Sequence, residues 1–194
     1  MSASEAERAF LERVSEYLLS LPFDLKILQE AVADPDLDKS ARLLAASTVV
    51  HTLLPQDGEP GPLRYVDDVL YVRATLAQVA QGDSEGAVAF RERFHAEIYA
   101  RLDEDLATFS TFLGPLWPWL TGKLAGFGKL TLRGKKSAQA IEDEEIATLL
   151  YDEGLAFLTN YPVNEEQVRN KLRRGEQVLD LFKKRFEDDK KKIG

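Results

Sequence analysis

Apolar residues return every three or four positions along most of this chain, the spacing of helices that bury one face. Phe10, Val14, Tyr17, Leu18 and Leu21 form the first stripe, behind a capping box made by Ser4 and Glu7. Pro22 predicts the end of that helix or the start of the next, which takes Leu25, Ile27 and Leu28. Asp34-Pro35-Asp36 predicts a loop, with Asp38 or Ser40 capping the helix beyond it. That helix is the densest apolar stretch. Between residues 43 and 54 only Ser47, Thr48, His51 and Thr52 are polar, so it is expected to be buried on most of its circumference. Pro55 ends it, and the loop beyond carries Gly58, Pro60 and Gly61. Pro62 suits the first turn of a second helix, in which Leu63, Val66, Leu70, Ala74 and Ala77 keep helical spacing and Val69, Val72, Leu76 and Val79 widen the stripe. So short a loop predicts two antiparallel neighbours, a buried helical hairpin around which the chain is organised.

Gly82 closes that run, and a long helix is expected over residues 85–112 with Phe90, Phe94, Ile98, Leu102, Leu106 and Phe109 inward. Asp103, Glu104 and Asp105 are expected on its solvated face. The pattern then breaks. Residues 114–120 hold both tryptophans and two prolines, and glycine recurs at 122, 126, 128 and 134, so an irregular linker with at most a short helix is expected. Helical spacing resumes at Ser137 with Ile141, Ile146, Leu149, Leu150, Leu155 and Leu158, and Tyr161-Pro162 stops it. Asn164 and Gln167 offer a second capping box. The last helix uses Val168, Leu172, Val178 or Leu179, Phe182 and Phe186, with Gly175 a weak point inside it and the final residues fraying. No segment alternates like a strand. The expected fold is all-α, a helical bundle of about seven to eight helices around the hairpin. It divides into a helical domain over 1–112, a Trp/Gly/Lys-rich linker over 113–136 and a C-terminal helical extension over 137–194.

Composition narrows the classes. An apolar fraction of 44% and a charged fraction of 30% are ordinary for a soluble protein, and 194 residues suffice for a substantial core. A net charge of −8 argues against general nucleic-acid binding. The absence of cysteine removes disulfide and thiolate chemistry. Acids near the start, in place of a basic and then apolar run, point to a cytoplasmic protein. Neither arm of the hairpin is a convincing span: one is too short, and the other carries Arg64, Asp67, Asp68 and Arg73.

The hairpin also carries a resemblance. Pro55, Asp57 and Pro60 are spaced P-x-D-x-x-P, and Tyr65 then precedes the pair Asp67-Asp68. With the apolar helix before them, these residues make the segment over 35–79 resemble the YkvA-like family, small bacterial helical domains of unknown function. The resemblance implies a helical fold, and no established activity comes with it.

Two clusters carry candidate chemistry. At the hairpin turn His51, Asp57, Asp67 and Asp68 can approach one another, and an imidazole with carboxylates can bind a divalent metal or act as a general acid–base pair. The simpler reading is structural, with His51 bonded to a carboxylate and Asp57 capping the loop. The second cluster is Trp117, Trp119, Lys123, Lys129, Arg133, Lys135 and Lys136, a run without any acid between 121 and 136. It can meet an acidic protein or an anionic membrane surface, or simply fill the gap between the helical parts. Its glycines and lysines do not have phosphate-loop spacing, no nucleophile motif is present, and no cofactor is called for. The sequence therefore points first to a non-enzymatic interaction or scaffold protein of the bacterial cytoplasm, acting on a protein partner or on itself. A metal-binding module or metal-dependent enzyme at the hairpin turn, and peripheral membrane association through 114–136, are the alternatives.

Overall fold

The computed structural model describes residues 3–55, 61–93 and 96–193. The chain folds as an all-α helical bundle: α1 (Ala3–Ala33), α2 (Lys39–Leu53), a 3-10 turn (Gly61–Tyr65), α3 (Val66–Val79), α4 (Glu85–Arg93), α5 (Ala96–Leu113), α6 (Leu116–Gly122), α7 (Leu124–Phe127), a second 3-10 turn (Ser137–Ile141), α8 (Glu144–Asn160), α9 (Glu165–Lys171) and α10 (Gly175–Ile193). Two short antiparallel strands, β1 (Thr131–Leu132) and β2 (Lys135–Lys136), interrupt the helices. Among the described residues no helix is long and apolar enough to cross a membrane.

The 31-residue α1 is the axle of the bundle and packs against α2, α3, α5, α8, α9 and α10. It continues through Pro22 without a break. A proline there has no N–H for the carbonyl four residues back, and an orphaned buried carbonyl is costly. The carbonyl of Leu18 is instead satisfied by the Tyr161 hydroxyl, which donates to it at 2.8 Å. The helix break expected at Pro22 is thus averted by a partner from the far end of the chain.

Helix α3 is buried along nearly its whole length, charged residues included, which fits its near-continuous apolar sequence. It lies against α2 through the hydroxyls of Thr48 and Thr75, 2.8 Å apart, and one turn further along through His51 and Tyr71. The helix expected over 85–112 is two elements, α4 and α5, with Phe94 and His95 outside the described residues. Helix α4 docks against the α1–α2 connection so closely that a Cβ on Gly86 would fall 1.9 Å from the Asp36 carbonyl oxygen.

The segment expected as an irregular linker has regular parts. Gly114, at φ 53°, ends α5 in the left-handed conformation that glycine tolerates. Helices α6 and α7 come next, and Arg133-Gly134, at φ 50° and 79°, make the two-residue turn that pairs β1 with β2. Strands of two residues are too short to alternate visibly, so sequence periodicity cannot reveal them. Further on, α8 begins at the Asp143 cap rather than at Ser137, Asn164 and Gln167 close the expected capping box, and Gly175 opens α10 instead of lying inside a helix. The Gly175 N–H donates to the Glu7 carboxylate on α1 at 2.7 Å. Buried side chains from Phe10 to Phe182 form a single hydrophobic cluster, to which α8, α9 and α10 contribute Ile146, Leu150, Val168, Val178 and Phe182.

Candidate functional site

The polar end of α2 and the first turn of α3 bring His51 and Asp68 together, with Nδ1 3.3 Å from the carboxylate. The imidazole is stacked on Phe127 of α7, ring centres 4.0 Å apart, and meets the edge of Tyr71 at 5.1 Å. Neighbouring Asp67 turns to α10, where Arg185 donates to it at 2.6 Å. Asp57 lies outside the described residues. Among the described residues no group of three or more histidines and carboxylates converges as a metal centre would require. What the arrangement does chemically is orient one imidazole between two aromatic rings and a carboxylate, and tie α3 to α10.

Both tryptophans are half-buried and pack against the core from different sides. Trp117 packs on Phe109, centres 6.0 Å apart, while Trp119 meets Phe182 and Phe186 of α10 at 6.5 and 5.4 Å. Lys123 lies 4.4 Å above the Trp119 ring and 2.6 Å from the Asp189 carboxylate, and Lys190 lies 4.2 Å above Phe186. The hydrogen bond from Lys123 holds the Asp189 carboxyl below its ordinary range. These groups, with Gly122 and Lys192, line an open cleft of about 450 Å³ between α6 and α10. Arg133 is elsewhere, ion-paired with Glu153 of α8. Lys129, Lys135 and Lys136 are exposed.

Sequence reading passed over a third cluster, buried between α1, α3 and α5. Arg73 donates to Asp24 at 2.9 Å, and Ser20 donates to the same carboxylate oxygen at 3.0 Å. The Arg73 guanidinium covers the Tyr17 ring at 3.5 Å, and the Tyr17 hydroxyl donates to Asp105 at 2.5 Å. Asp105, expected at the solvated face of its helix, is 0% exposed, with Arg13 at 3.4 Å. Burial pushes the Asp24 carboxyl up to about 6 despite the opposing pull of Arg73, and burial also raises Asp105 and Tyr17. A usable signal existed: Asp24, Arg73 and Asp105 all fall in phase with the apolar stripes of their helices. Asp24 opens onto a groove of about 490 Å³ walled by Phe23, Ile27 and Ile98. Its carboxylate accepts from Arg73 of α3 and from Ser20 one turn earlier on α1, so the pair ties α1 to α3 beneath the groove.

No protein-family model matches the chain, and no curated protein or solved structure is significantly similar to it. Function is therefore to be read from these clusters alone. Two of them spend their charges on holding helices together, and the α6–α10 cleft is the one that presents aromatic and basic groups to solvent.

Proposed function

We propose that this chain is a non-enzymatic interaction protein that holds a partner rather than turning over a substrate. The observation that carries this reading is the α6–α10 cleft. Lys123, Lys190 and Lys192 line it, paired with Asp189 and Glu187, so an aromatic-lined surface with one lysine in excess stands on a chain of net charge −8. Cations held over ring faces and a tryptophan open to contact are features of binding hot spots. An acidic segment of a partner protein suits such a cleft. Trp117 supports it from the core side, and Lys129, Arg133, Lys135 and Lys136 continue the same basic stretch of chain.

Several finer readings belong to this proposal. One is that α2 and α3 form a buried antiparallel hairpin, supported by the Thr48–Thr75 and His51–Asp68 contacts. Others are membership of the YkvA-like family, supported by the order of Pro55, Tyr65, Asp67 and Asp68, and a place in the bacterial cytoplasm. A metal site draws only on the His51–Asp68 pair, since Asp67 is engaged by Arg185.

Substituting Lys123→Glu together with Lys190→Glu reverses the charge of the cleft without touching the core. Capture of partners from a bacterial lysate should then fall about tenfold against the wild-type chain. An unchanged capture profile removes the cleft as the contact. Salt-sensitive flotation of the wild-type chain on anionic vesicles, lost in the variant, would make the surface a lipid-binding one instead. Stoichiometric metal in protein purified without chelator, lost in His51→Ala, would favour the metal reading.

A further inference from the structure

A second surface is marked by where large apolar side chains are left in solvent. Among the described residues these are Leu19 at 37% exposed, Phe23 at 62%, Tyr151 at 40% and Leu155 at 39%. They lie on two helices only. Leu19 and Phe23 are four apart on α1, and Tyr151 and Leu155 are four apart on α8, so each pair shares one helix face.

The two faces adjoin. Gln29 donates to the carbonyls of Leu150 and Tyr151 at 2.8 and 3.3 Å, and Tyr161 donates to the carbonyl of Leu18 at 2.8 Å. These contacts run α1 and α8 side by side in opposite directions and set Leu155 level with Phe23. The opposite flank of α8 is occupied, since Glu153 pairs with Arg133 of the β-turn and Leu149 packs near Lys135. Tyr151 and Leu155 therefore stand on the flank toward α1. The two faces make an apolar ridge interrupted by Lys26 on α1, with Phe23 also walling the groove toward Ile98, and exposed apolar surface of this kind marks an interaction site.

Charge decides the occupant. Helix α8 carries Glu144, Glu145, Asp152 and Glu153 and no lysine or arginine. The stripe of α1 beside it carries Glu12, Glu16 and the half-buried Glu30 against Arg8 and Lys26, with Glu16 paired to Arg101, so the acidic excess rests on α8. Among the described residues Glu12, Glu30, Glu145 and Asp152 have no ion-pair partner. A second copy of the chain would bring the same acids face to face, and an anionic membrane would be repelled in the same way. We propose that the α1–α8 ridge docks a basic amphipathic helix of another protein, its apolar stripe on Phe23 and Leu155 and its lysines or arginines over the acidic rim. This surface is separate from the α6–α10 cleft, so either can fail without the other.

The test uses the full chain and two labelled model peptides of about 18 residues, long enough to be helical when bound. Both have a leucine stripe, one with lysine and the other with glutamate on its polar face, and anisotropy reads binding. The lysine peptide should bind, and the glutamate peptide should not. Phe23→Ser with Leu155→Ser, which leaves the charge unchanged, should weaken the lysine peptide about tenfold or more. Glu30→Lys with Asp152→Lys should weaken it several-fold and leave the apolar ridge intact, which keeps the test alive if the serine variant fails to fold. Equal affinity of the serine and wild-type chains, or of the two peptides, overturns the proposal. A dimer of the wild-type chain that the serine substitutions dissociate, or vesicle binding that they abolish, also overturns it by putting another occupant on the ridge.

Discussion

A carboxylate set in a helix stripe of leucine and phenylalanine must be neutralised, paired or both. Asp24 is paired with Arg73, and burial still lifts its carboxyl from 3.8 to about 6. Proton counting gives the sign of the consequence. Between these two values the unfolded chain has already released the proton while the folded chain still holds it. The fold therefore loses stability from this residue as pH rises from about 4 to about 6, and recovers it on acidification. A gap of roughly two units corresponds to about 3 kcal/mol. Asp105 acts in the same direction, whereas Glu142 and Asp189, held down by Lys39 and Lys123, act in the opposite one. The overall pH profile mixes these contributions, so a single substitution is needed to isolate one. Urea unfolding of wild type and Asp24→Asn at pH 4, 5, 6 and 7 should show the stability difference shifting against the wild type by about 2–3 kcal/mol across the range. A difference that stays flat with pH would mean that folding does not shift the Asp24 carboxyl.

At the scale of the element, Pro22 and Tyr161 form one unit despite lying 139 residues apart, because Tyr161 serves the Leu18 carbonyl that Pro22 leaves without a donor. Tyr161→Phe should cost about 1–3 kcal/mol, the loss expected for a buried carbonyl left unsatisfied. Pro22→Ala restores an N–H to α1 beneath that carbonyl, so in this background Tyr161→Phe should cost appreciably less, a coupling that a double-mutant cycle by urea unfolding reads directly. Additive costs would show that the hydroxyl serves some other purpose. The same pair explains what the sequence could and could not tell. Helical spacing marked nearly every helix here, since a buried face imposes its period locally. Pro22 suggested a break because its compensation comes from a remote residue. Asp103-Glu104-Asp105 read as a solvated run because a charge cluster masks the one member in phase with Leu102 and Phe109. The meeting of His51 with Asp68 was legible from packing neighbours, but the turn of Asp67 toward Arg185 was not, as it depends on where α10 crosses the bundle.

For the whole molecule the question is whether α8, α9 and α10 are an appendage or part of one cooperative unit. Removing residues 137–194 takes Tyr161 from the Leu18 carbonyl, the carbonyl partners from Gln29, and Arg185 from Asp67. It also strips Ile146, Leu150, Val178 and Phe182 from the single hydrophobic cluster. Each fully buried side chain of this size is worth about 1.5–3 kcal/mol, so their combined loss rivals the whole stability of a typical domain. A fragment of residues 1–136 should therefore show no cooperative thermal transition and should bind a hydrophobic dye. The intact chain offers the complementary measurement, because both tryptophans sit on α6 and Trp119 packs against α10. Tryptophan fluorescence tracks that seam, while far-UV circular dichroism tracks the helices as a whole. Coincident midpoints would establish one cooperative unit in which the α6–α10 cleft and the α1–α8 ridge persist or vanish together. A fluorescence transition at lower temperature, with a 1–136 fragment that still melts cooperatively, would make the C-terminal helices a separable unit. The cleft would then open independently of the core beneath it.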